Sequence, residues 1–188
     1  MQESFTVLTF SHLRWDFVYQ RPQHLLSRLA RLHRVVFIEE PVPDESAPPH
    51  FERLTPEPNV LVCRPRTPVR AAGFCDEQMP HLEPLIRQLL SEEKIDNYVV
   101  WFYTPMALPL AEGLQPQAVV YDCMDELSAF LNAPPQLLER EAHLLQLADV
   151  VFTGGPSLYR AKKDRHPNAF CFPSSVDEIG RASWWVRV

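Results

Sequence analysis

Short runs of β-branched and aromatic residues recur along the chain, and most are followed by a segment whose apolar residues recur every three or four positions. The first run is continuous in apolar character, which is typical of a strand covered on both faces of a sheet. Strands are predicted over residues 5–10, 34–38, 59–63, 98–103, 118–122, 149–153 and 169–172.

The segments between these runs predict helices over residues 21–32, 81–93, 134–148 and 158–165, with a short helical turn at 106–112. In the third helix the stripe Leu137, Leu138, Leu144, Leu145 and Ala148 is expected to face inward. The proline-rich segments 43–58 and 65–80 are predicted as loops. The alternation predicts an α/β fold, a Rossmann-like three-layer α/β/α sandwich with a mostly parallel sheet of about six or seven strands.

Composition narrows the function classes. The net charge of −6 argues against nucleic acid as a partner, since a nucleic-acid footprint is basic. No apolar run approaches the roughly 18–20 residues of a membrane span, and no signal peptide is expected. The four cysteines are far apart in sequence, which predicts reduced thiols and a cytoplasmic location. With 5 glycines the chain contains neither a dinucleotide fingerprint nor a Walker loop, which argues against a nucleotide-sugar epimerase or reductase.

The loop after the first strand has the densest candidate chemistry. Ligands of open α/β sheets bind at the carboxyl ends of strands, so this segment, residues 9–30, is the first place to expect a site. An internal Arg–Asp ion pair, packing of the aromatic rings and capping of the helix are the alternative roles. The candidates are His12, Arg14, Trp15, Asp16, Arg21, Gln23 and His24.

Two further loops add candidates. Asp122 and Asp125 follow the fifth strand, where carboxylates suit hydroxyl binding, general-base work or a divalent metal, although one of them can instead cap the next turn. Gly154, Gly155 and Ser157 follow the sixth strand, where they predict an anion nest or a plain helix N-cap.

Charged residues elsewhere receive structural interpretations. Glu39 and Glu40 close the second strand and are interpreted as rim residues. A basic cluster lies at the end of the last helix, where cations favour the helix dipole or contact anionic lipid headgroups. Its members are Arg160, Lys162, Lys163 and Arg165.

Several strings in this order resemble the N-terminal half of bacterial GT-B glycosyltransferases, and of the family 4 enzymes of surface-polysaccharide pathways in particular. They are RWDFVYQRPQHLLSRLA, YDCMDELSAF, ADVVFTGGPSLYRAKK and the PSSVD that follows the last strand. The resemblance implies two Rossmann-like domains facing a cleft, with a nucleotide-sugar donor on the C-terminal side and a glycan or lipid-linked acceptor on the N-terminal side. It implies neither a cofactor nor a bound metal.

The resemblance also assigns expected roles. His12, Asp122 and Asp125 become the expected catalytic residues, and Ser157, Gly154 and Gly155 the residues that line the cleft. Acceptor binding is expected from Arg14, Trp15, Asp16, Arg21, Gln23 and His24. A lipid-linked acceptor would bring the chain to the inner face of the cell membrane as a peripheral contact.

The domain organisation follows the same resemblance. Residues 1–177 are expected to form the acceptor-side domain, and residues 178–188 a non-homologous tail at the point where the second domain would begin. A chain without the donor-side domain is expected to be truncated and inactive alone. The alternative is a non-catalytic Rossmann-like module that docks on a partner glycosyltransferase subunit.

Overall fold

The computed structural model describes residues 4–131 and 133–173. The expected tail at 178–188 and residues 174–177 lie outside the described residues. The strands are β1 Thr6–Ser11, β2 Arg34–Glu39, β3 Val42–Pro43, β4 His50–Glu57, β5 Val60–Thr67, β6 Tyr98–Phe102, β7 Ala118–Cys123, β8 Val150–Thr153 and β9 Ala169–Cys171. The α-helices are α1 Arg21–Leu29, α2 Met79–Glu92, α3 Gln136–Leu147 and α4 Pro156–Lys162, with 3-10 turns at Asp76–Gln78, Pro105–Ala111 and Leu127–Ala129.

These strands form one sheet in the order β3-β5-β2-β1-β6-β7-β8-β9, with β4 paired to β5. Among the described residues, every pair along that order is parallel, and only the β4–β5 pair is antiparallel. The predicted Rossmann-like, mostly parallel architecture is therefore confirmed. Strand order reverses at β1, which lies between β2 and β6, and such a switch point opens a crevice at the carboxyl edge.

The sheet is wider than the six or seven strands that the sequence predicts. The additional strand β4 lies within the segment 43–58, and β3 overlaps its first residue, so the prediction that this whole segment is a loop is wrong. β4 is mostly exposed and has no alternating apolar face, so it lacks the pattern that identifies a half-buried strand. β4 is ordered instead by its antiparallel hydrogen bonds to β5, and β5 itself extends to Thr67.

Two apolar clusters cover the two faces of the sheet. Because side chains alternate along a strand, Leu8 and Phe10 pack with α2 and α3, while Val7 packs with Leu26 of α1 on the opposite face. The predicted three layers follow from this division. No helix within residues 4–131 and 133–173 is long and apolar enough to cross a bilayer.

Helix ends differ from the sequence expectation by a few residues. α1 ends at Leu29, and α4 begins at Pro156 and ends at Lys162. Leu138 was expected to face inward, but its side chain is 63% exposed. In α3 the buried side includes Leu137, Glu141 and Leu144. Consecutive residues of an α-helix are rotated by about 100°, so Leu138 points away from that side.

The buried Glu141 explains a second correction. Lys162 was interpreted as one of several cations at a helix end, yet its side chain is buried and its Nζ lies 2.7 Å from Glu141 Oε1 and 3.0 Å from Glu126 Oε2. Tyr121 also donates its hydroxyl to Glu141. Burial opposes the charged form of Lys162, but the bonds to Glu141 and Glu126 raise its pKa above the usual value. This network fastens α3 to α4 and β7.

Replacing Lys162 with alanine would leave the Glu141 carboxylate buried without its main counter-ion. We expect Lys162→Ala to lower the free energy of unfolding by about 3 kcal/mol in urea denaturation. The adjacent Lys163→Ala is the matched control, because Lys163 is exposed. A loss below about 1 kcal/mol for Lys162→Ala would contradict a stabilising role for the pair.

Candidate active site at the switch point

Polar residues meet at the carboxyl edge of the sheet where β1 lies between β2 and β6. His12 follows β1, Glu40 follows β2, and Thr104 comes shortly after β6. The three line a cavity of about 240 Å³. Its remaining lining is largely apolar and comprises Ala72, Gly73, Phe74, Cys75, Met106, Leu127, Phe130, Leu131, Ala133, Pro134 and Leu137.

His12 is the candidate whose placement agrees best with the sequence expectation. Burial lowers the pKa of its imidazole, and the nearby Asp125 carboxylate and the Tyr103 backbone oppose this shift. Its Nδ1 atom is buried and has no hydrogen-bond partner among the described residues. A neutral imidazole both donates to and accepts from hydroxyl groups, and His12 lines the cavity.

Glu40, which the sequence analysis interprets as a rim residue, lines the cavity. Burial raises the pKa of its carboxyl to about 7, although Arg14 opposes the shift. Gly73 makes room for it: this glycine has φ +71°, and a Cβ atom there would lie 3.2 Å from Glu40 Oε1. The cavity therefore holds an acid that gains and loses its proton near neutral pH, which is the property of a general acid or base.

Glu39, the preceding residue, has a different environment. Its carboxylate is fully buried and accepts hydrogen bonds from Arg14 Nη1 at 3.0 Å, the Trp15 backbone N–H at 2.8 Å and Arg64 Nε at 2.6 Å. The interpretation of Glu39 as a rim residue is therefore wrong. Arg64 also donates through Nη2 to both carboxylate oxygens of Asp16, which holds the pKa of Asp16 below its usual value.

Most of the other polar candidates of this loop bond within the chain. The Gln23 side chain is buried, accepts from the Gln20 N–H and donates to the carbonyls of Arg14, Trp15 and Val18. The Trp15 ring packs edge-on against Phe37 at 5.0 Å. These contacts order the loop and so position His12, while direct acceptor binding by Arg14, Trp15, Asp16 and Gln23 stays a prediction.

Asp122 lies on the other face of the sheet from the cavity. Its neighbours Tyr121 and Cys123 belong to the apolar cluster of α2 and α3, so alternation turns Asp122 toward α1. There it is fully buried and accepts from Arg21 Nε at 2.9 and 3.1 Å. Burial raises the pKa of Asp122, and Arg21 opposes the shift.

Arg21 and His24 line a separate groove of about 420 Å³ on that face, together with Leu25, Trp101, Phe152 and Phe172. His24 also contacts the Tyr19 ring edge-on at 4.5 Å. Of the three predicted catalytic residues, Asp125 is close enough to His12 to affect its pKa, whereas Asp122 is turned to the face of the sheet opposite the cavity of His12. The catalytic roles themselves stay predictions.

The three residues predicted to line the cleft, Gly154, Gly155 and Ser157, differ in their surroundings. A Cβ atom on Gly154 would lie 3.0 Å from the Met124 carbonyl oxygen, so this glycine permits the close approach of two loops. Gly155 and Ser157 have no such contact: a Cβ on Gly155 meets open space, and Ser157 is exposed. Within residues 4–131 and 133–173, no group of three or more His, Cys, Asp and Glu side chains is arranged to hold a metal ion.

The raised pKa of Glu40 predicts a pH-dependent gain in stability on substitution. An unfolded glutamate ionises near pH 4.5, whereas the folded one keeps its proton to about pH 7, so wild type loses stability as pH rises between these values. We expect Glu40→Gln to unfold like wild type at about pH 4.5 and to be more stable by up to about 3 kcal/mol at about pH 8. Urea denaturation at both pH values measures this.

The matched control is Glu112→Gln, since Glu112 is an exposed carboxylate remote from the cavity. Its effect should be the same at both pH values. An equal effect of Glu40→Gln at the two pH values would show that the carboxyl of Glu40 titrates normally.

Comparison with known proteins agrees with this architecture. Neither a protein-family model nor a curated protein sequence matches the chain. Among solved structures it is similar to sucrose-phosphate synthase from Thermosynechococcus elongatus, with a TM-score of 0.62, 11% identity, and coverage of 90% of this chain and 48% of that one. It is also similar to α,α-trehalose 6-phosphate synthase from Burkholderia multivorans, with a TM-score of 0.48, 14% identity, and coverage of 86% and 42%.

At these identities the likeness concerns the fold alone. The chain spans about half the length of the solved structures it matches. It has the fold of one Rossmann-like half of a GT-B glycosyltransferase.

Proposed function

We propose that this chain forms the acceptor side of a GT-B glycosyltransferase that transfers a sugar from a nucleotide-sugar to a hydroxyl group of a glycan or glycolipid. The observation that carries the proposal is the pairing of His12 and Glu40 at the switch-point cavity. Both side chains hydrogen-bond hydroxyl groups readily, and Glu40 changes protonation state near neutral pH.

The chemistry needs an acceptor oxygen held in position and relieved of its proton. In the transfer, the acceptor oxygen forms a bond to the anomeric carbon, and the bond from that carbon to the diphosphate oxygen breaks. The hydroxyl proton leaves to a nearby base or to the departing phosphate. Ionised Glu40 or neutral His12 can accept this proton, and positioning by the cavity supplies the entropic part of the rate enhancement.

The remaining predicted residues support the site from outside the cavity in this proposal. Arg14, Asp16 and Gln23 act as positioning residues, because they order the loop that follows His12. Arg21 and Asp122 fasten the start of α1 to the end of β7. Binding of the donor diphosphate belongs to the facing domain of the two-domain fold, so sugar transfer requires that domain as well. The cytoplasmic location at the inner membrane face stays a prediction.

A second candidate function is a non-catalytic module that docks on a partner glycosyltransferase subunit. It is favoured by the aromatic groove beside α1, where Trp101, Phe152 and Phe172 are in contact at ring distances of 5.6 and 5.3 Å. Phe172 remains 55% exposed there. In this alternative the polar cavity has no ligand of its own.

Acceptor binding without donor distinguishes the two. We expect the 188-residue chain to bind methyl glycosides weakly in ligand-observed NMR, and His12→Ala to reduce that binding at least tenfold. Because the described residues form one half of the fold, we expect sugar transfer from nucleotide-sugars to be undetectable with this chain alone. His33→Ala is the control, since His33 stacks on Phe5 away from the cavity.

Unchanged binding in His12→Ala would contradict an acceptor site at this cavity. Absence of any glycoside binding would favour the docking module. Transfer by the 188-residue chain alone would show that it needs no facing domain.

A further inference from the structure

The switch-point cavity has two unlike sides. His12, Glu40 and Thr104 present polar atoms from the ends of neighbouring strands. Much of the remaining lining, called the apolar side here, is formed by large apolar side chains from three other segments. They are Phe74, Met106, Leu127, Phe130, Leu131 and Leu137.

The apolar side is held in place by an arginine. Arg140 donates through Nη1 to the carbonyl of Phe74 at 3.2 Å and to that of Met106 at 2.9 Å, and it also pairs with Asp76. A single cation thus joins α3 to the two segments that carry Phe74 and Met106. The inner part of this side is therefore a built wall of the cavity.

At the mouth of the cavity the apolar wall continues into solvent. Phe130 is 59% exposed and Leu131 is 92% exposed, although both line the cavity. Two adjacent large apolar side chains in water beside a cavity are typical of a surface that a ligand or partner covers. Their position beside His12 and Glu40 favours an occupant that also reaches the polar side.

A free sugar does not match this lining. Its hydroxyl groups on the wall side would lose their hydrogen bonds to water and gain none, which is unfavourable. The volume of about 240 Å³ also lies below the roughly 300–1,000 Å³ of pockets that enclose a whole drug-sized ligand. The cavity suits one hydroxyl-bearing ring with an apolar group leaving it along the wall.

We propose that the acceptor bound at this cavity is an amphiphile: a sugar or other polyol whose hydroxyl groups contact His12 and Glu40 and whose apolar aglycone lies on Phe130 and Leu131. This inference rests on the proposed acceptor function. The shared chemistry is an apolar group beside a polyol, and this group is either an alkyl chain of a lipid or an aromatic ring.

The test compares three glucosides on the full chain without any donor. Binding of methyl, n-octyl and phenyl β-D-glucopyranoside is measured by titration calorimetry and protein NMR, below the critical micelle concentration of the octyl compound. We expect the octyl or the phenyl glucoside to bind at least tenfold more tightly than the methyl one. Tighter binding of the octyl glucoside would indicate a lipid acceptor, and tighter binding of the phenyl glucoside an aromatic one.

Substitutions in the cavity lining then test which side chains cause the gain in affinity. Leu131→Ser and Phe130→Ser alter exposed side chains, so the fold should persist, and they should remove most of the tenfold gain while changing methyl glucoside binding less than twofold. Leu32→Ser is the matched control, because Leu32 is 76% exposed and does not line the cavity. Glu40→Gln should weaken all three glucosides, because every one of them uses the polar side.

The outcomes separate this inference from the proposed function. Equal binding of the three glucosides, all weakened by His12→Ala, would overturn the amphiphile and leave the acceptor site intact. A tighter octyl or phenyl complex that Leu131→Ser and Phe130→Ser do not affect would place the aglycone elsewhere and overturn the inference. No binding of any glucoside would overturn both.

Discussion

One buried carboxylate orders the loop on which the candidate site depends. Glu39 ends β2 in a fully buried position, and it is stabilised there by two guanidinium groups and a backbone N–H. Those donors come from the loop after β1 and from β5, so this one anion joins three segments at the carboxyl edge. Removing it would take from Arg14 and Arg64 the buried carboxylate that they share, and the loop that follows His12 would lose its anchor.

The contrast between Glu39 and Glu40 shows how strand alternation divides identical residues. The two consecutive glutamates have different surroundings, since Glu39 pairs with two arginines and Glu40 lines the switch-point cavity. The first is a structural residue that pairs with Arg14 and Arg64 and accepts the Trp15 N–H. Burial raises the pKa of the second to about 7, beside a glycine whose positive φ leaves room for its carboxyl oxygen. Glu39 thus orders the loop, while the adjacent Glu40 is the candidate for chemistry at the cavity.

Sequence patterns predicted the parts of the fold that rest on local periodicity. The continuous apolar run of β1 and the stripe of α2 identify a covered strand and an amphipathic helix without any tertiary information. β4 was missed because its order comes from pairing with β5 and not from an apolar face. Lys162 was misinterpreted because its partner Glu141 lies on another helix, and no spacing in the sequence brings those two charges together.

The candidate site was predictable to a similar degree. The first loop and His12 follow from the rule that ligands bind at the carboxyl edge, and the structure places His12 at the cavity. Glu40 and the apolar wall depend on how the segments 71–76 and 127–137 fold over that edge, which no local pattern in the chain encodes. Asp122 lies at the end of its strand as predicted, but its side chain is on the other face of the sheet, since its neighbours pack toward α2 and α3.

Arg21 has a mechanical consequence beyond its ion pair. Its guanidinium contacts the Asp122 carboxylate at the end of β7 and, through Nη1, the carbonyl of Phe172 just after β9. Arg21 is also the first residue of α1, two positions before Gln23, which fastens the loop of Trp15. Arg21 therefore connects the segment after β9 to the end of β7 and, through the start of α1, to the loop that begins at His12.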